Sequence, residues 1–174
     1  MRWIVLLRGV NVGGHGKTPM AALRDALAEA GARDVASYIQ SGNLLFDHDE
    51  TAPEAVANWT SDLIDVHFGH RPPALAFTAD ELHGIHDANP FGEVAEPRFL
   101  HVHLFRDPPE AQAIDRLAPD LYAGEELRLG ENCLYHWPPD GFGKSKAAQK
   151  IPLALGVTTT ARNLRSLRAI LDLV

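Results

Sequence analysis

The chain has 174 residues, 45% of them hydrophobic, and 16 Lys and Arg against 23 Asp and Glu give a formal charge of −7. That length supports one sizeable core or two small domains, in an ordinary globular composition. The acidic balance argues against a general coat for nucleic acid, no apolar run nears the ~20 residues of a membrane span, and the step from Met1-Arg2 straight into an apolar run predicts no signal peptide.

Trp3 to Leu7 reads as a central strand, apolar on both faces and punctuated by Gly9. A glycine-rich loop follows, Arg8-Gly9-Val10-Asn11-Val12-Gly13-Gly14-His15-Gly16-Lys17. It leads into a helix for which Thr18 is expected as the cap and Pro19 as the first residue. Met20, Leu23, Ala26, Leu27 and Ala30 keep the helical period until Gly31 ends it. Val35 to Gln40 and Leu44 to Phe46 form a hairpin about Ser41-Gly42-Asn43.

Thr51 with Glu54 predicts a capping box for a helix that runs to His67, with Val56, Trp59, Leu63 and Val66 inward. Ala74 to Phe77 is a fourth strand. Thr78 with Glu81 predicts a second capping box, opening a helix through Ile85. Residues 1–90 therefore read β-α-β-β-α-β with a trailing helix, the order of a ferredoxin-like split βαβ unit. The Pro-containing stretch 91–97 reads as a linker.

Residues 98–174 look like a partial repeat. Phe99 to Phe105 is a strand, Asp107-Pro108-Pro109-Glu110 opens a helix with Ala113, Ile114 and Leu117, and Glu126–Leu129 with Cys133–Trp137 is a hairpin. Gly141-Phe142-Gly143-Lys144-Ser145 opens a helix that Pro152 should kink or end. Thr158 to Thr160 reads as an edge strand, and a last helix starts near Arg162. The expected architecture is α+β: tandem ferredoxin-like units with mainly antiparallel sheets and helices packed on one face.

The charge is unevenly spread. Residues 144–174 hold six Lys and Arg against one Asp, and residues 1–143 hold ten against twenty-two. Lys144, Lys146 and Arg162 are expected in first helical turns, where cations oppose the macrodipole unless an anion sits among them. The leading reading places the glycine loop, the Gln40-Ser41-Gly42-Asn43 turn and both basic helix starts around one phosphate- or carboxylate-bearing small molecule. Arg8, Lys17, Lys144, Lys146 and Arg162 would supply charge. Asn11, Gln40, Ser41, Asn43, Ser145 and Asn163 would supply directed hydrogen bonds, and Gly13, Gly14 and Gly143 close backbone approach.

Other readings stay open. The basic C-terminal helices would suit nucleic acid or a protein partner. Gly16-Lys17-Thr18 fits the end of a phosphate-gripping G-x-x-x-x-G-K-[ST] loop and would suit a P-loop-like phosphotransferase, although Asn11 replaces its first glycine and Pro19 displaces a helix amide. In a structural reading, Arg8 and Asn43 instead satisfy buried backbone groups. The paired histidines His67/His70, His83/His86 and His101/His103 bring no distant third ligand, so no metal site is assigned. His101 and His103 share a sheet face, where packing and hydrogen bonding are expected of them. Cys133, the single cysteine, excludes an intrachain disulfide, fits a reducing cytoplasm and has no base to make it a nucleophile. No cofactor, oligomeric state or reaction is legible.

Four stretches together resemble a bacterial domain-of-unknown-function family, number 1697. They are Arg8 to Gly14 with Lys17, Met20 and Leu23; Tyr38-Ile39-Gln40-Ser41-Gly42-Asn43; Asp140-Gly141-Phe142-Gly143-Lys144-Ser145-Lys146; and Thr159-Thr160-Ala161-Arg162-Asn163. The resemblance implies an α+β protein of two related halves with no agreed activity. Ala161 interrupts the family's Thr-Arg-Asn run, and His15, Gly16 and Thr18 depart from its usual residues.

Overall fold

The computed structural model describes residues 1–14 and 16–174. It divides into two compact units, Met1–His83 with Ala169–Val174, and Gly84–Arg168.

In the first unit, β1 (Arg2–Leu7), β2 (Arg33–Tyr38), β3 (Asn43–Asp47) and β4 (Ala74–Phe77) form an antiparallel sheet in the order β2-β3-β1-β4. The uninterrupted apolar run of β1 occupies a central position, buried on both faces from Trp3 to Leu7. Trp3, Val5 and Leu7 share a core with Leu23 and Leu27 of α1 (Met20–Glu29) and with Val56 and Ile64 of α2 (Pro53–Phe68). Alternation along the strand thus selects which side chains meet these helices.

The helix starts differ from expectation in two places. Thr18 does not cap α1, whose first residue is Met20 after Pro19. The Thr18 hydroxyl is instead buried, 3.3 Å from the Gly16 carbonyl and 2.9 Å from His70 Nε2. Nor do Thr51 and Glu54 cap α2, because the Glu50 carboxylate accepts from the Thr51 and Ala52 amides at 2.8 and 2.9 Å. The inward face of α2 is also redrawn. Val66 is 83% exposed, whereas Thr60 and Ser61 are buried, their hydroxyls donating to the carbonyls of Val56 and Pro72. The capping box of Thr78 and Glu81 does open α3 (Ala79–Asp87): Glu81 accepts from the Thr78 amide at 2.7 Å.

In the second unit, β5 (His101–Phe105), β6 (Glu126–Gly130), β7 (Cys133–Trp137) and β8 (Thr159–Asn163) pair antiparallel in the order β6-β7-β5-β8. In each sheet the strands therefore run second, third, first, fourth by sequence. Phe105, Leu127 and Leu134 pack with Ala113 and Leu117 of α4 (Ala113–Leu117) and with Ala147, Ile151 and Leu155 of α5 (Lys146–Leu155). The helix α4 is short because Asp107–Gln112 stay outside it. Pro152 neither ends nor splits α5, which stops three residues later where Gly156 takes a left-handed conformation. Asn163 closes β8, and α6 (Leu164–Leu171) follows directly.

Among the described residues, no helix is long and apolar enough to cross a membrane.

Candidate functional site

In the first unit the glycine loop and the hairpin turn are locked together by two residues. Asn11 sits at φ 55°, a conformation that favours Asn among side-chain-bearing residues. Its Nδ2 donates to the Gln40 carbonyl at 2.8 Å and the Thr18 carbonyl at 2.9 Å, while Oδ1 accepts from the Thr18 amide at 2.9 Å. Gly42 sits at φ +72°, and a Cβ there would lie 2.6 Å from Leu7 Cβ and from Val10 Cγ2. Its carbonyl accepts from the Leu7 amide at 2.8 Å. The side chain of Asn43 is buried and donates to the Tyr38 carbonyl at 3.0 Å.

Around this joint the surface is cationic and rich in backbone. Arg8, Gly13, Gly14, Lys17, Gln40 and Ser41 are all exposed. Gly13 and Gly14 hold positive φ, and a Cβ added at either would meet nothing within 4 Å among the described residues. The expectation at position 15 lies outside the described residues.

In the second unit, a turn of 3-10 helix over Phe142–Lys144 leads into α5. Ser145 caps that helix, its Oγ accepting from the Ala148 amide at 2.9 Å. Lys144 and Lys146 project from either side of the cap onto a cleft of about 340 Å³, with Tyr122, Asp120 and Asp140 also in its lining. Asp120 is committed to Lys150 at 2.7 Å. Among the described residues neither Lys144 nor Lys146 meets a carboxylate within salt-bridge distance. Gly143 is exposed, with open space where a Cβ would be.

Arg162 requires correction. It lies in β8 opposite Val102, not at a helix start, and is 8% exposed. Its guanidinium donates to Thr160 Oγ1 at 2.9 Å and to the Ala161 carbonyl at 2.8 Å, and burial pulls its pKa down to about 10. The cap of α6 is Asn163, whose Oδ1 accepts from the Ser166 amide at 2.8 Å.

Sequence reasoning passed over Glu125. This buried carboxylate accepts from the Ser145 hydroxyl and from His136 Nε2 (2.6 Å) through one oxygen, and from the Tyr122 amide at 3.1 Å through the other. Its only local signal is an acid placed before an apolar alternation. The set has the residue types of a hydrolytic triad but not the wiring. In a triad the carboxylate orients His through the nitrogen opposite the serine, whereas here serine and histidine donate to one oxygen and His136 Nδ1 has no partner. Ser145 is 2% exposed, out of reach of a substrate. Cys133 is buried as well, its thiol pushed up to about 11 by burial, which makes it a poor nucleophile.

Two antiparallel four-stranded sheets, each with helices in its core, make this an α+β protein. Residues 1–135 match the family described as "Protein of unknown function (DUF1697)", and the chain belongs to that family. The glycine loop and the hairpin turn fall inside the matched stretch; the Asp140 to Lys146 and Thr159 to Asn163 motifs follow it. Comparison with curated proteins gave no match. A solved structure, a conserved bacterial protein from Streptococcus pneumoniae, is similar in fold with a TM-score of 0.76 at 22% identity, over 99% of this chain and 97% of the other.

Proposed function

We propose that the chain binds a phosphate- or carboxylate-bearing small molecule, with Lys144 and Lys146 as its principal charges. What carries the reading is the pair of ammonium groups left without carboxylate partners on a cleft of about 340 Å³, in a chain of net charge −7. Both stand at the beginning of α5, where they raise an already positive potential and leave an anion as the natural counterpart. Tyr122, whose oxygen accepts from the Asp140 amide at 2.9 Å, keeps its own proton to donate. Asp140 repels part of an anion, so the ligand is read as one that presents hydroxyl or amine groups on that side.

In the first unit, Arg8 and Lys17 with Gly13 and Gly14 are proposed to serve anion binding as well. Asn11, Asn43, Ser145 and Asn163 serve the reading through the backbone they hold in place, since their side chains are spent internally. We also read each sheet with its helices as a ferredoxin-like unit, the second a partial copy of the first. No reaction is assigned.

Calorimetric titration with inorganic phosphate, citrate and a phosphorylated three-carbon acid at low ionic strength tests the binding. The double variant Lys144→Ala/Lys146→Ala is expected to weaken binding at least tenfold, equivalent to about 1.4 kcal/mol. Equal affinity for wild type and variant, or no binding by the wild type, overturns the proposal.

A further inference from the structure

Three imidazoles gather on the sheet face that carries Phe105 and Leu134. His101 and His103 lie two apart on β5, and His136 of β7 is the register partner of His101. The ring of Phe142 covers all three, with centroids 4.1 Å from His101, 6.3 Å from His103 and 5.9 Å from His136. His103 and His136 are themselves 5.8 Å apart.

The groups facing this cluster can be named element by element. The segment before β6 contributes Glu125, and β6 contributes Leu127 opposite His136. Strand β8 contributes Asn163 opposite His101, Ala161 opposite His103 and Thr159 opposite Phe105. From α5 come the Ser145 cap and the buried Ala147 and Ala148, while its Lys146 and Lys150, like Lys144, are exposed. Among the described residues Glu125 is thus the one carboxylate bonded to the cluster, and it is already shared between His136 and Ser145.

Because a carboxylate accepts from His136 Nε2, that nitrogen carries the ring proton and Nδ1 is a bare acceptor, buried without a partner. His103 Nε2 is likewise buried and unpartnered. A proton arriving on either ring would place a cation under Phe142 with nothing to receive its new N–H, and with another imidazole next to it.

We infer that the His101–His103–His136 cluster is an acid-released latch: protonating it detaches the Phe142–Ser145 turn and loosens the first turn of α5. Burial holds all three histidines below their ordinary value, His101 at about 4, although the Phe99 carbonyl on His101 and Glu125 on His136 pull upward. The turn is therefore closed at neutral pH. Once exposed, each ring regains an ordinary value of about 6.5, so between that pH and about 4 the open form binds more protons and is favoured as pH falls. At pH 5.5 release of His101, from about 4 to about 6.5, shifts the balance about tenfold toward opening, and His103 and His136 act in the same direction. That opening would also move Lys144 and Lys146 and make anion binding acid-sensitive rests on the proposed function; the latch does not.

Amide hydrogen exchange of the full chain in chloride, without any other anion, separates the two. The Ala148 amide, bonded to Ser145 Oγ, reports the cap directly. Corrected for intrinsic rates, its protection should fall at least tenfold between pH 7 and pH 5.5, while amides of α2 keep theirs. His103→Leu should lose less protection than the wild type at pH 5.5, because one of the three protonation sites is gone, and Phe142→Ala should lose it already at pH 7. Unchanged Ala148 protection in the wild type, or an equal loss across α2, overturns the latch whether or not anions bind.

Discussion

Gly42 and Gly13 share a positive φ but not a neighbourhood, and the difference predicts what each tolerates. A methyl group at Gly42 would strike Leu7 and Val10 at 2.6 Å and strain a φ of +72°, whereas at Gly13 it would meet open space. Gly42→Ala should cost about 2–4 kcal/mol and Gly13→Ala about 1 kcal/mol, measured by urea unfolding. The residues around this joint were legible as glycine and amide turn chemistry, and so was the option that Asn43 satisfies backbone. What could not be read was that Asn11 spends its amide on Gln40 and Thr18, residues 29 and 7 positions away. A side chain that ties a loop to a distant turn leaves no local period.

Among the elements, those with strong local signals came through. The apolar run of β1, the strand Ala74–Phe77 and the Thr78–Glu81 cap are where the residues placed them, because each is decided within a few positions. The failures share a cause. At α2 the Glu50 side chain outcompeted the expected cap, and the buried face ran through Thr60 and Ser61, which hydrophobic periodicity skips. At α6 attention to Arg162 hid Asn163, a cap recognisable by its Asn three residues before Ser166.

Pro152 shows packing overriding propensity. Buried Ala147, Ala148, Ile151 and Leu155 hold α5 to the core although proline withholds a backbone donor and its ring crowds the preceding turn. Pro152→Ala should therefore stabilise the chain by about 1–3 kcal/mol, raising the melting temperature by about 2–4 °C per kcal/mol in thermal denaturation.

On the scale of the whole molecule, the duplicated strand order leaves two sheets built alike but furnished differently. The first carries an exposed glycine loop, and the second buries two histidines and a glutamate, with a third histidine half-buried, beneath a lysine-bearing turn. The excess of positive charge after residue 143 was plain in the sequence. Its division among Lys150 paired with Asp120, Arg162 buried in a strand, and Lys144 with Lys146 on a cleft required coordinates, because pairing depends on neighbours far along the chain.

Anion recognition at the start of α5 is best tested by mapping amide chemical shifts on addition of inorganic phosphate at constant, low ionic strength. Saturable shifts centred on Gly143 to Ala147 and on Tyr122, lost in Lys144→Ala/Lys146→Ala, are the predicted result. Shifts that are absent, or that persist unchanged in the double variant, would contradict it.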